Sequence, residues 1–168
     1  MNKPAAAAGS SVFFALAPGV VAGVVPWWLT GWDAEPAGAL ARGLGVLLIV
    51  TGAAILLHAF ARFVREGIGT PAPVAPTQHL VVGGLYRWIR NPMYVAVVTC
   101  VFGQALLLSR EILWVYAAGL MVLFYAFVRG YEEPTLNRQF GSEYEAYRRA
   151  VPGWRPRLRP ARVPRVTS

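Results

Sequence analysis

Four apolar stretches dominate the chain, and short polar segments separate them. The stretches cover residues 12–29, 43–61, 92–108 and 112–128. A bilayer core about 30 Å thick needs roughly 20 mostly apolar residues in one helix, and each stretch reaches or nearly reaches that length. The pattern therefore predicts an all-α fold, in which an integral membrane bundle of four transmembrane helices carries a cytoplasmic loop and short C-terminal interfacial helices.

Residues at the ends of these stretches refine the prediction. Pro18 and Pro26 are expected to kink the first helix, because proline removes a backbone donor and clashes with the preceding turn. Only Ser109, Arg110 and Glu111 separate the third and fourth stretches. So short a connection predicts a tight antiparallel hairpin.

The composition supports a membrane protein and excludes several other classes. Of the 168 residues, 56% are apolar and 14% are charged, whereas a soluble domain carries about 25% charged residues. The same hydrophobicity excludes intrinsic disorder. Cys100 is the only cysteine and His58 and His79 are the only histidines, so neither a disulfide scaffold nor a metal site is expected. We expect residues 1–168 to form a single membrane domain.

The distribution of arginine and lysine predicts the orientation. If both termini are cytoplasmic, the outer side holds only Arg42 and Arg110, and the inner side holds Lys3, the arginines of residues 62–90 and every basic residue from Arg129 onward. Cytoplasmic loops carry this excess of positive charge. An Ala-, Gly- and Arg-rich composition further suggests a bacterial inner membrane.

The net charge of +8 is expected to interact with membrane lipids and not with nucleic acid. The basic residues lie next to the predicted spans, where anionic headgroups attract them. The basic tail 153–168 alternates proline with arginine. It is expected to form an extended strap on the membrane surface.

Two polar clusters flank the predicted hairpin. Residues 90–94 open the third helix, where asparagine is a favoured cap and proline a favoured first residue. The free N–H groups there, with Arg90 beside them, suit an anionic group such as a carboxylate, although a well-capped helix needs the same residues. Arg129, Glu132 and Glu133 end the fourth helix. The two carboxylates could neutralise Arg129, hold a cationic ligand or cap the next helix.

The hairpin brings these two clusters to one face of the membrane, so Asn91, Tyr94, Arg129 and Glu132 are expected to converge. A short helix should follow Pro134 and end at Gly141. A second should start near Ser142, whose spacing to Glu145 matches a capping box. These helices either pack on the interface or cover the pocket. Residues 62–91 form a long apolar loop, and loops of this length in a compact domain are usually functional or disordered.

The order of several short motifs resembles one known superfamily. The motifs are Gly67-Ile68-Gly69-Thr70-Pro71, Leu80-Val81, Gly84-Leu85-Tyr86-Arg87, Arg90-Asn91-Pro92-Met93-Tyr94, Glu132-Glu133, the segment 140–147 and Val151-Pro152. This series, over residues 60–152, is similar to the isoprenylcysteine carboxyl methyltransferase and phospholipid methyltransferase superfamily. Its members are integral membrane enzymes that use S-adenosylmethionine.

The resemblance implies a cofactor region over residues 67–94 and 129–152. The implied cofactor-binding residues are Gln78, His79, Leu80, Val81, Tyr86, Arg90, Asn91, Pro92, Met93, Tyr94, Glu132 and Glu133. Arg129 and Glu132 are the implied catalytic residues, with Arg129 near the substrate. The spacing from Arg129 to Glu132 is one residue shorter than in the eukaryotic prenylcysteine enzymes, and Asn91 replaces their common histidine.

The resulting hypothesis is an S-adenosylmethionine-dependent membrane methyltransferase, similar to isoprenylcysteine carboxyl methyltransferase, with a lipophilic small molecule or a lipid as acceptor. A phospholipid N-methyltransferase and a small-thiol S-methyltransferase are alternatives within the superfamily. A non-catalytic membrane module or a small multidrug-type transporter is an alternative of another class. The transporter is disfavoured because no Asp or Glu lies inside a predicted span, and proton coupling needs such a group.

Overall fold

A computed structural model describes residues 16–67 and 79–162, and all regular secondary structure in these two ranges is helical. The helices are α1 (Leu16–Thr30), α2 (Ala39–Gly67), α3 (Pro92–Leu108), α4 (Glu111–Phe127), α5 (Glu133–Phe140) and α6 (Ser142–Ala150). A single 3₁₀ turn, Gly84–Arg87, lies between α2 and α3. The all-α prediction is therefore confirmed.

Two of these helices are long and apolar enough to cross a membrane. They are Ala39–Phe63, within α2, and Glu111–Phe140, which continues from α4 into α5. The shorter apolar helices are α1 and α3, and the 17 residues of α3 extend about 25 Å. Leu40 on α2 and Val122 on α4 are more than two-thirds exposed, as expected for side chains that face lipid.

Two π-helical turns occur in the described helices, one within α1 and one between α4 and α5. In α1 the turn is Val20–Val24, between the two prolines that predicted a kink. The carbonyl oxygens of Val21 and Ala22 accept hydrogen bonds from Tyr116 Oη (2.8 Å) and Gln104 Nε2 (2.6 Å). The wider turn thus offers backbone acceptors to α3 and α4 and joins α1 to the bundle.

The second π-helical turn, Val128–Glu132, joins α4 directly to α5. The sequence predicted a break here, but Gly130 and Pro134 are accommodated by the wider turn without ending the helix. Such turns are frequently found at functional sites. This one carries Arg129 and Glu132.

Helices α2 and α3 are the most closely packed pair, because three glycines remove the side chains between them. A methyl group at Gly52 would lie 2.6 Å from Cys100 Sγ and 2.8 Å from the Ala96 oxygen. Gly45 and Gly103 face each other, and a methyl group on either would lie 2.7 Å from the other's carbonyl oxygen. The glycines therefore set the distance between the helices.

We expect Gly52→Ala to destabilise the protein by about 1–3 kcal/mol, because the added methyl group has no space between the backbones of α2 and α3. Gly119→Ala is the matched control, since a methyl group at Gly119 would meet nothing within 4 Å. Thermal unfolding in detergent measures both variants. Equal midpoints for the two variants would contradict this packing.

The predicted α3–α4 hairpin is confirmed. Ser109 takes a left-handed conformation (φ 55°) and ends α3. The N–H of Leu113 then bonds the oxygen of Arg110 at 3.2 Å as α4 starts. The beginning of α3 and the end of α4 therefore lie at the same end of the bundle, called the site end below.

One apolar core lies between α1, α3 and α4. A second apolar core lies at the site end, between α6, the end of α2 and the loop before α3. Its buried members include Ala59, Val81, Tyr86, Tyr144 and Tyr147. Tyr147 Oη donates a 2.8 Å hydrogen bond to the backbone oxygen of Tyr86. The short helices therefore pack on the loop. Gly141, with φ 51°, separates α5 from α6 as predicted.

The capping box predicted for α6 is wrong. Ser142 is the first residue of the helix, Gly141 is its cap, and no side chain caps the helix. Glu145 instead forms an ion pair with Arg149 at 3.4 Å. The left-handed glycine sets the start of the helix, which leaves the serine one position too late to act as the cap.

The C-terminal segment 151–162 runs back along residues 87–91. The backbone N–H groups of Arg90 and Asn91 bond the oxygens of Pro152 and Gly153 at 2.9 and 3.3 Å. Further along, the N–H groups of residues 157 and 161 bond the oxygens of residues 88 and 87. The segment is therefore part of the packed structure, a contact that its arginine- and proline-rich sequence did not indicate.

Candidate functional site

The two predicted polar clusters meet at the site end. The phenol of Tyr94, in the first turn of α3, donates a 2.8 Å hydrogen bond to Glu132 Oε2, in the π-helical turn after α4. These residues are 38 positions apart in the chain, and the hairpin alone places them side by side. The predicted convergence is confirmed for this pair.

Glu133 forms a separate cluster of ion pairs. Its side chain is only 9% exposed and lies 3.1 Å from Arg90 Nη1, 3.2 Å from Arg129 Nη1 and 3.6 Å from Arg148 Nη2. Three cations around one buried carboxylate satisfy its charge. The two adjacent glutamates therefore differ: Glu133 is fully paired, and Glu132 is bonded to a neutral phenol.

Arg90, which belongs to the Glu133 cluster, and the next residue, Asn91, each carry a buried donor without a partner in the part of the chain that the structure describes. Asn91 is buried and Arg90 has a side chain that is only 11% exposed. Neither Asn91 Nδ2 nor Arg90 Nε has a hydrogen-bond partner among the described residues. Buried donors without partners are rare. Both groups can therefore donate hydrogen bonds to the oxygen atoms of a ligand.

The role predicted for Asn91 as a side-chain cap is wrong. It occupies the cap position of α3 with φ −114° and ψ 53°, but its side chain makes no capping hydrogen bond. The backbone of Asn91 is held instead by Gly153. The buried amide nitrogen of Asn91 is consequently left without a hydrogen-bond partner among the described residues.

Aromatic rings line the neighbourhood of the Tyr94–Glu132 pair. The ring centre of Tyr94 lies 4.9 Å from that of Phe124 and 6.4 Å from that of Trp154. Trp154 lies 6.0 Å from Tyr125, and the guanidinium of Arg129 lies over the Tyr125 ring at 5.9 Å. These rings form an apolar wall beside the carboxylate of Glu132.

The other predicted site residues take different positions. Val81 and Tyr86 are buried in the second apolar core, and Leu80 and Met93 pack against it. The neighbouring Pro92 is fully buried in the first turn of α3. His79 is exposed. Gln78 lies outside the described residues.

Besides Phe124 and Tyr125 of the aromatic wall, three residues of the site were not predicted from the sequence. Tyr144 Oη accepts a 3.0 Å hydrogen bond from Arg90 Nη1, Arg148 completes the Glu133 cluster, and Trp154 extends the aromatic wall. Burial raises the pKa of the Tyr144 phenol, and the positive charge of Arg90 partly offsets this. Tyr144 therefore stays protonated near neutral pH and acts as a neutral partner of Arg90.

The sequence around Tyr144 and Trp154 does not mark them as site residues. Tyr144 has the spacing of an apolar stripe on α6, and Trp154 stands among arginines and prolines. No local signal indicates that the tail folds back toward α3.

The opposite end of the bundle holds a polar cleft of about 520 Å³. Glu35 and Arg110 line it and form an ion pair at 3.6 Å. This cleft is separated from the site end by the length of α3. In the two described ranges, no group of three histidine, cysteine or acidic residues could hold a metal ion.

Two helices long and apolar enough to cross a membrane indicate a membrane protein, and the buried acid–arginine cluster lies at one end of its bundle. A family model of phospholipid methyltransferases matches residues 40–143. This match covers more than half of the chain, so the protein belongs to the phospholipid methyltransferase family, within the isoprenylcysteine and phospholipid methyltransferase superfamily. It is therefore a membrane methyltransferase. No curated protein and no solved structure matches the chain significantly.

Proposed function

We propose that the protein transfers a methyl group from S-adenosylmethionine to a lipophilic acceptor at the site end. The observation that carries this proposal is the 2.8 Å hydrogen bond from Tyr94 to Glu132, with two buried donors that are unpaired within the described ranges, Arg90 Nε and Asn91 Nδ2, three to four residues before Tyr94 in the chain. The family match supports methyl transfer independently of this geometry.

The charges of the site fit the amino-acid portion of S-adenosylmethionine. Its carboxylate matches Arg90 Nε and Asn91 Nδ2, two buried donors that have no partner in the described chain. Its amine and sulfonium are cationic and match Glu132, whose hydrogen-bond partner is the neutral Tyr94. Glu133 is paired with three arginines, so we assign it to holding Arg90 and not to contacting the cofactor.

The bound cofactor would supply an electrophilic methyl group for an in-line displacement. Such a reaction depends on alignment of the reactants and exclusion of water more than on acid–base groups. Tyr94, Phe124 and Trp154 provide the apolar wall that excludes water. Tyr94 also fixes the carboxylate of Glu132 through its hydrogen bond.

The acceptor is proposed to be lipophilic because the site lies at the end of apolar helices whose outer surfaces face lipid. A phospholipid amine and a prenylcysteine-like thiol or carboxylate are the leading candidates, and a small thiol is a third. Arg129 is half exposed beside Tyr125. We propose that it contacts the acceptor.

We further propose that α1 and α3 cross the bilayer together with α2 and α4, forming one membrane domain. Both termini and the site end would be cytoplasmic, as the arginine distribution predicts. The composition rich in alanine, glycine and arginine favours a bacterial inner membrane. In this orientation, S-adenosylmethionine reaches the site from the cytosol and the acceptor enters from the bilayer.

Calorimetry on the purified protein in nanodiscs tests the proposed cofactor site. Transfer of a labelled methyl group to phosphatidylethanolamine, to a prenylated cysteine or to a small thiol then identifies the acceptor. We expect saturable binding of S-adenosylmethionine and transfer to one of the two lipophilic acceptors. The absence of binding would contradict the proposal and favour a non-catalytic module.

We expect Asn91→Asp to weaken binding of S-adenosylmethionine by about tenfold or more, because it replaces a buried donor with a negative charge facing the cofactor carboxylate. Asn137→Asp, on the exposed surface of α5, is the matched control. Calorimetry compares the two variants. Unchanged affinity in Asn91→Asp would remove Asn91 from the site.

A further inference from the structure

The C-terminal segment carries positive charge that the proposed cofactor site does not use. Residues 151–168 contain no acidic residue. Arg155, Arg159 and Arg162 are exposed and have no ion pair among the described residues. Arg157 differs because its guanidinium donates to the backbone oxygen of Ala150 at the end of α6. Three guanidinium groups are therefore available to an anionic partner.

An exposed leucine lies among these arginines. Leu158 is 97% exposed, the highest value among the exposed large apolar side chains. This exposure does not come from a free end, because hydrogen bonds fix the backbone on both sides of it: the N–H of Arg157 bonds the Trp88 oxygen and the N–H of Ala161 bonds the Arg87 oxygen, each at 2.9 Å. The fold thus holds an apolar side chain in an exposed position between cations.

The position of the segment identifies the partner. Residues 87–91, to which it is bonded, lead directly into α3, an apolar helix that begins at Pro92. The segment therefore lies at the level where the helices leave the apolar region. At that level a membrane presents anionic headgroups next to acyl chains, which match arginine and leucine respectively.

We propose that residues 155–162 dock on anionic phospholipid headgroups of the leaflet at the site end, with Leu158 inserted among the acyl chains. Trp154, the residue immediately before this segment, contacts Tyr94 and Tyr125 in the aromatic wall. Docking would therefore hold the wall of the proposed site against the membrane. The docking itself depends on the membrane position of the protein and not on the identity of its cofactor.

The test uses the full-length protein with Leu158→Cys, labelled with an environment-sensitive fluorophore. Cys100 is buried, and the unsubstituted chain, treated in parallel, measures background labelling. The labelled protein is compared in nanodiscs of phosphatidylcholine alone and of phosphatidylcholine with phosphatidylglycerol. We expect blue-shifted emission and quenching by nitroxide-labelled lipid in the anionic discs, with both effects reduced at high salt.

Charge removal provides the matched comparison. In the Leu158→Cys background, Arg155→Gln with Arg159→Gln should shift the equilibrium away from the docked state by roughly 30-fold, or about fivefold for each arginine. Arg138→Gln with Arg149→Gln removes the same charge from exposed positions on α5 and α6 and should leave the emission unchanged.

Several results would overturn the proposal. Equal emission in neutral and anionic discs would contradict docking, as would an equal loss of the blue shift in the two double variants. A blue shift caused by soluble heparin in neutral discs would assign the surface to an acidic macromolecule. Affinity for S-adenosylmethionine, measured on the same discs, reports separately on the proposed cofactor site.

Discussion

Glu132→Gln should bind S-adenosylmethionine at least about 30-fold more weakly than the unsubstituted protein. The substitution keeps the size of the side chain and an oxygen that can accept the hydrogen bond from Tyr94. It removes the negative charge that we assign to the cationic end of the cofactor. Removing one partner of a buried charge pair costs about 2–5 kcal/mol, and calorimetry in nanodiscs measures the loss directly.

Thermal unfolding of Glu132→Gln distinguishes loss of a ligand contact from loss of the fold. Without cofactor, the midpoint should match or exceed that of the unsubstituted protein, because no cation is paired with Glu132 in the described structure. Methyl transfer should fall together with binding. Full affinity in Glu132→Gln would show that the carboxylate does not contact the cofactor.

Glu133→Gln, unlike Glu132→Gln, should lower the free energy of unfolding without cofactor, by about 3–5 kcal/mol. Glu133 is the anion shared by three arginines, and its loss leaves Arg90, with a side chain only 11% exposed, without its ion-pair partner. Arg129 and Arg148 are about half exposed, so solvent screens them and they contribute less. Unfolding by heat or denaturant, without cofactor, measures the difference.

Glu145→Gln is the matched control for this substitution. Glu145 and Arg149 form an ion pair at 3.4 Å in which both side chains are more than half exposed. Such pairs contribute about 0–1 kcal/mol. Equal stability of Glu133→Gln and Glu145→Gln would contradict the role assigned to Glu133. The two predicted results together would show that Glu132 binds the cofactor and that the adjacent Glu133 stabilises the fold.

The helices of this protein were largely predictable from the sequence. The third predicted stretch matches α3, and the fourth differs from α4 by one residue at each end. An apolar run of this length has few alternatives to a helix. The start of α2 was less predictable than its end. Gly67 and Gly69 favour an end near residue 67, where α2 does end, but Ala39 lies four residues before the predicted stretch 43–61. Polar Arg42 continues the helix without extending its apolar pattern.

The candidate site was predictable only where the chain topology is simple. The α3–α4 hairpin brings Tyr94 to Glu132, and any tight connection between two antiparallel helices would do the same. The contacts of Trp154 depend instead on backbone hydrogen bonds between residues 87–91 and 152–161. Those bonds involve no side-chain pattern, so the sequence contains no signal for them.

The different contacts of Glu132 and Glu133 could not be predicted from the sequence either. The π-helical turn Val128–Glu132 changes the angle between successive side chains at this point. Glu132 therefore faces α3 and Tyr94, and Glu133 faces Arg90 and α6. A regular helix, which the sequence favours, would place the two residues differently.

A structure of the protein with S-adenosylhomocysteine tests most directly whether two distant segments form one cofactor site. We expect the amino-acid end of the ligand to lie within hydrogen-bond distance of the Glu132 carboxylate and of Arg90 Nε or Asn91 Nδ2. A ligand bound in the cleft beside Glu35 and Arg110, or out of reach of both Asn91 and Glu132, would contradict it.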